Sequence, residues 1–124
     1  MSTTDLWTYS SRSSRTVSQR DLAGFSVEAL DGGIGKIDEA TYDVGSSFLV
    51  VDTGPWIFGK KVMLPAGVVR DVDLDTETVF VNRTKDQIKD APEFDEKRYR
   101  EPSYREELGG YYGPGGRGYR DVDY

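Results

Sequence analysis

The sequence predicts an all-β fold: a small, strongly bent β-barrel with one short C-terminal helix, flanked by two disordered arms. Three observations carry this. Between residues 21 and 95, short apolar runs recur at close spacing, each bounded by Gly, Pro or Asp turn residues. Those runs are rich in Val, Ile and aromatic residues, which suit a pleated, half-buried surface. Only 36% of the 124 residues are hydrophobic and 31% are charged, whereas a fully packed chain carries about 45–50% apolar residues. Part of the chain is therefore expected to lie outside the core. The boundaries read as a flexible Ser/Thr-rich arm over 1–20, the barrel-like domain over 21–95, and a flexible tail containing Tyr, Gly and Arg over 96–124.

The elements follow in order. Phe25-Ser26-Val27-Glu28-Ala29 alternates apolar with polar residues, the pattern of a half-buried strand. Asp31-Gly32-Gly33 turns the chain, because glycine tolerates positive φ. In the returning strand, apolar residues fall at 34, 37, 40, 42 and 44. The initial spacing of three breaks strict alternation and predicts a β-bulge or bend near Gly35. After Gly45-Ser46, the run Phe48-Leu49-Val50-Val51 fits a strand buried on both faces. Lys60-Lys61-Val62-Met63-Leu64 makes the next strand, and Val68–Val72 leads into an acidic turn at 73–77. Thr78-Val79-Phe80-Val81-Asn82 is the plainest strand of all. Thr84-Lys85-Asp86-Gln87 is a capping-box pattern that predicts a short helix over residues 85–90, stopped by Pro92. The tail beyond 95 holds six of the eight tyrosines and is broken by Gly109-Gly110 and Gly113-Pro114-Gly115-Gly116. One helical turn at residues 105–108 is the most structure expected there. Trp7 and Tyr9 are the only large anchors in the N-terminal arm.

Composition excludes several chemistries. With no Cys and no His, the chain lacks disulfides, thiolate nucleophiles, Cys/His zinc sites and imidazole acid–base catalysis. No apolar run approaches the roughly 20 residues of a membrane helix, and the first 20 residues lack the apolar core of a secretory signal. A cytoplasmic protein without membrane insertion is the expectation. Net charge is +2 over residues 1–20, −6 over 21–90 and −2 over 91–124. An acidic domain repels nucleic-acid backbones.

Candidate chemistry narrows further on inspection. Gly32-Gly33-Ile34-Gly35 leads into a strand, so it reads as a hairpin turn with a bulge, not a phosphate loop opening a helix. Asp71, Asp73, Asp75 and Glu77 could offer oxygens to a divalent cation. Counting Asp71 as position one of a calcium loop puts Thr76 at six and Asn82 at twelve, so the glycine and glutamate of that loop are missing. Asp38 and Glu39, as strand neighbours, would point to opposite faces. No catalytic residue, cofactor or resident metal is therefore expected. Trp56-Ile57-Phe58, three large apolar residues in a loop bounded by Gly and Pro, could either plug the barrel end or bind a partner.

The middle of the chain also resembles the PRC-barrel family, the small β-barrel of the photosynthetic reaction-centre H subunit and of ribosome maturation factors. The resemblance rests on Leu22-Ala23-Gly24, Val27, the run from Asp31 to Ile37, and Asp43. It continues through Leu49-Val50-Val51-Asp52-Thr53-Gly54, the run from Lys60 to Pro65, Val79-Phe80-Val81, and the trailer from Thr84 to Pro92. It spans roughly residues 20–96 and looks most like stand-alone bacterial members. It implies a bent barrel used as a docking platform, often self-associating, with no catalytic residue to carry over. The expected function is a non-enzymatic interaction or scaffold module whose partners are itself, as a homodimer, and another protein. Two alternatives remain open: an RNA- or ribosome-associated assembly factor, drawing on Arg117 and Arg120 among the tail tyrosines, and a divalent-cation-binding regulator.

Overall fold

The structure is a computed structural model that describes residues 6–9, 13, 21–41, 47–54 and 60–119. Among the described residues there are six strands: β1 (Ser26–Ala29), β2 (Gly32–Ala40), β3 (Phe48–Asp52), β4 (Lys61–Pro65), β5 (Val69–Asp73) and β6 (Thr78–Val81). Two α-helices follow, α1 (Lys85–Lys89) and α2 (Pro102–Tyr112). The strands form one mixed sheet in the order β4-β3-β2-β1-β6-β5, in which only β1 and β6 run parallel.

Connectivity forces this sheet to curl. Its two edge strands, β4 and β5, are consecutive in sequence and joined only by the 3-10 turn Ala66–Val68. Laid flat, six strands would hold their edges about 24 Å apart at ~4.8 Å per pair. The chain from Pro65 to Val69 spans about 14 Å at most. The sheet must therefore roll until its edges approach. Among the described residues no ladder joins β4 to β5, so the strongly bent sheet that the sequence predicts is present but its closure into a barrel is not shown.

The bulge expected near Gly35 is present. Val27 pairs with Gly35 and Glu28 with Gly33, leaving Ile34 as the extra residue. A second irregularity follows, because Ile37 pairs with Val51 and Glu39 with Val50, which skips Asp38. Together they keep Ile34 and Ile37 both in the core despite their odd spacing. β3 is buried on both faces, with Leu49 and Val51 fully enclosed and Phe48 and Val50 nearly so. Thr84 caps α1 as predicted. Its hydroxyl accepts from Gln87 N–H (3.2 Å), and Thr84 N–H donates to Gln87 Oε1 (2.9 Å). Asp31 Oδ1, in the β1–β2 turn, accepts from Lys85 N–H at 2.8 Å, tying that turn to the start of α1.

The two segments expected to be flexible contain packed structure. In the tail, α2 runs eleven residues where the sequence reading allows one turn. Pro102 opens the helix, which suits a position with no intrahelical N–H partner. Tyr104, Leu108 and Tyr112 recur every four residues on one face and are buried. In the arm, Leu6, Trp7 and Tyr9 are buried as well. The Trp7 carbonyl accepts from Ser47 N–H (2.8 Å), and Tyr9 Oη donates to the Thr41 carbonyl (2.9 Å). The Arg105 guanidinium sits over the Trp7 ring at 5.5 Å, and a Cβ on Gly109 would lie 3.5 Å from the Trp7 indole nitrogen. Residues from the two ends of the sequence thus meet and complete each other's burial.

Burial holds the phenols of Tyr9, Tyr104 and Tyr112 above their ordinary value, with desolvation the largest cause in each. The folded state binds these protons more tightly than the unfolded chain, whose tyrosines titrate near pH 10. Their stabilising contribution is complete below about pH 10 and is lost as pH rises beyond it. In alkaline titration, part of the tyrosinate absorbance should appear only together with loss of the far-ultraviolet dichroism. Complete tyrosine ionisation with the dichroism unchanged would contradict this packing.

Candidate docking surface

Pro92 ends the α1 region, and the segment that follows meets β2 and β3 through Tyr99 and Arg100. The Phe94 ring lies 5.0 Å from that of Tyr99, and Tyr99 meets Phe48 of β3 edge-on at 5.9 Å. Tyr99 Oη donates to Glu39 Oε1 at 3.1 Å. Arg100 forms a close ion pair with Glu39, donates from Nε to Tyr99 Oη at 3.1 Å, and stacks over the Tyr99 ring at 4.9 Å. Aromatic contact and charge therefore pin this segment to β2 and β3.

Pinning it leaves an open trough on either side of Phe94. One cavity of about 360 Å³ is lined by Glu93, Phe94, Asp95, Glu96, Arg98, Tyr104 and Glu107. A second, of about 330 Å³, is lined by Lys60, Lys61, Glu93, Phe94 and Glu96. Because they share Glu93, Phe94 and Glu96, the two adjoin along this segment. The first half carries four carboxylates against one guanidinium, while the second half is balanced. Arg98 lies 3.9 Å from each of Asp95, Glu101 and Glu107, a distance at which no partner holds it tightly. Lys60 pairs with Glu93, and Lys61 with Asp38 at 2.9 Å. The Asp38 carboxylate holds the Lys61 ammonium above its ordinary value, chiefly through that hydrogen bond. These pairs are solvent-exposed and add little to stability, so a partner can exchange them at small cost. Tyr104 Oη is turned to the Pro92 carbonyl at 3.4 Å. The lining suits recognition by charge and aromatic contact.

The residues singled out in the sequence fall elsewhere. Trp56, Ile57 and Phe58 lie outside the described residues, although Lys60, two residues on from Phe58, lines the trough. Asp71, Asp73, Asp75 and Glu77 do not converge: among the described residues, no group of three carboxylates could hold a metal ion. Asp73 Oδ1 instead accepts from the N–H groups of Asp75 (2.9 Å) and Thr76 (3.2 Å), which closes the β5–β6 turn. Asp71 Oδ1 accepts from Val72 N–H at 2.9 Å. The trough itself escapes a reading by elements, because its parts come from residues 60–61, 93–96, 98, 104 and 107. The signal that could have found it is Phe94 and Tyr99, two aromatic residues set in a run of charges directly after Pro92.

No protein-family model and no curated protein matches the chain. Among the described residues, no helix is long and apolar enough to cross a membrane.

Proposed function

We propose that this chain is a non-enzymatic protein-interaction module on a PRC-barrel-like scaffold, and that it self-associates. The observation that carries the reading is the open trough around Phe94, which presents an aromatic residue between rims of loosely paired charge. The rolled sheet supports the scaffold half of the proposal, as does the order of motifs that resembles the PRC-barrel family. An RNA partner finds less support, because the carboxylates of the trough repel phosphate.

Adjacent residues of α2 provide the test. Glu107 lines the trough, whereas Glu106 is also exposed but does not. The same charge reversal at each, Glu107→Lys and Glu106→Lys, changes net charge equally. Immobilised full-length protein should lose its captured partner with Glu107→Lys and with Phe94→Ala, and keep it with Glu106→Lys. Equal capture by all the variants would overturn the assignment of the trough.

Self-association needs a different surface. β5 is an edge strand, but symmetric antiparallel pairing of two copies centred on Asp71 or Val72 sets aspartate opposite aspartate. The edge is therefore blunted against its own copy. Light scattering that shows a strict monomer at every concentration would remove the homodimer.

A further inference from the structure

Asp95, Arg98 and Glu101 are spaced by three, and main-chain turns fix that spacing. Arg98 N–H donates to the Asp95 carbonyl (3.0 Å), and Glu101 N–H donates to the Arg98 carbonyl (2.8 Å). Asp95 Oδ1 accepts from Lys97 N–H at 2.9 Å, which holds that carboxylate in place. From α2, Glu107 reaches the same spot, where it lines the cavity together with Phe94 and Tyr104. Three carboxylates thus surround one guanidinium. Arg98 Nη1 faces Asp95, Nε faces Glu101 and Nη2 faces Glu107, each at 3.9 Å.

A guanidinium therefore already sits on this seat, and it satisfies none of its neighbours. Charge-assisted hydrogen bonds run at about 2.7–2.9 Å, and a guanidinium meets a carboxylate best as a two-pronged fork. Rooted in the same short segment as Asp95 and Glu101, Arg98 spreads its nitrogens over three carboxylates and forks with none. An arginine arriving from outside carries no such tether and can meet one carboxylate squarely. Phe94 lines the same cavity and offers an aromatic face of the kind on which guanidinium groups stack.

We propose that the cavity between Phe94 and α2 receives an arginine side chain from a peptide segment of a partner protein, and that Arg98 holds the place until that arginine displaces it. The inference rests on the reading of the trough as a docking surface and names the chemistry of its partner. Charge complementarity selects the occupant. Glu93, Asp95, Glu96 and Glu107 line the cavity against Arg98 alone. Lys60 meets Glu93 from the adjoining cavity, which leaves three of these carboxylates to Arg98. The surroundings are acidic too, since the chain carries a net charge of −6. An anionic ligand is repelled, whereas a guanidinium gains charge and a fork together. Displacing Arg98 costs little, because its side chain is 45% exposed and its pairs are loose.

The experiment follows the fluorescence anisotropy of a short dye-labelled peptide added to the full-length protein. The peptide carries an arginine on each side of a phenylalanine, and a counterpart carries glutamates in those places. The arginine peptide should bind, less tightly as salt rises, and the glutamate peptide should not. Arg98→Gln should tighten binding of the arginine peptide on the order of fivefold, because it removes the competing cation. Lys97→Gln makes the same charge change at an exposed neighbour that lines neither cavity, and should leave binding within about twofold of wild type. Glu107→Lys should weaken it about tenfold or more, and Glu106→Lys should not. Equal tightening by Arg98→Gln and Lys97→Gln overturns the place-holding role of Arg98. Equal binding of the two peptides, or no binding of either to wild type and Arg98→Gln, overturns the arginine occupant. In each case, loss of the captured partner with Glu107→Lys and Phe94→Ala would still uphold the trough as a docking surface, so the two readings fail separately.

Discussion

Gly35→Ala is expected to cost roughly 3–5 kcal/mol, a large part of the stability of a domain this size. Two effects combine. Gly35 has a φ of +147°, where an L side chain is strained. A Cβ there would also lie 2.0 Å from the Asp52 carbonyl oxygen and 2.9 Å from the Thr53 Cα, all backbone of the neighbouring strand and its end. Backbone in a paired strand cannot swing aside as a side-chain tip can. Gly24 separates the two contributions, because it has φ +88° with nothing within 4 Å of a built Cβ. Gly24→Ala should cost only about 1–2 kcal/mol of conformational strain. Urea denaturation of the two variants beside wild type measures the difference. Equal midpoints for the two would show that the approach of β2 to β3 is not close.

Leu108→Ala should cost about 2–5 kcal/mol, since Leu108 is fully enclosed and its loss leaves a cavity. If the tail were solvated, the substitution would change almost nothing. Gly110→Ala, two residues away, carries the opposite sign. Gly110 is exposed in the helix interior with open space at its Cβ, so alanine should stabilise by roughly 0.5–1 kcal/mol. Thermal melts of both variants test the helix and its burial separately. Leu108→Ala within experimental error of wild type would mean that α2 does not pack on the core.

These two sites also show where the sequence was legible. The bulge beside Gly35 was readable because Ile34 and Ile37 break the period of two, a local signal. The capping box at Thr84 and the doubly buried run of β3 were legible for the same reason, since each is written in neighbouring residues. Leu108 was not. Its helix carries Gly109 and Gly110, each of which costs about 1 kcal/mol of helix propensity, and its apolar face is two tyrosines and one leucine. Local preference opposes α2, and only contact with the core and Trp7 stabilises it. The trough follows the same division, because Lys60, Phe94 and Glu107 become neighbours only through packing.

By itself, then, the sequence determined the strands, their turns, the bulge and the cap of α1, because hydrophobic period, glycine and hydroxyl chemistry act over a few residues. Tertiary structure alone decided that the sheet rolls without a β4–β5 ladder among the described residues, that residues 6–9 and α2 join the core, and that the chain after α2 closes on Arg83 through Gly118. Each of those depends on burial between segments far apart in sequence, where the energy of contact overrides local preference.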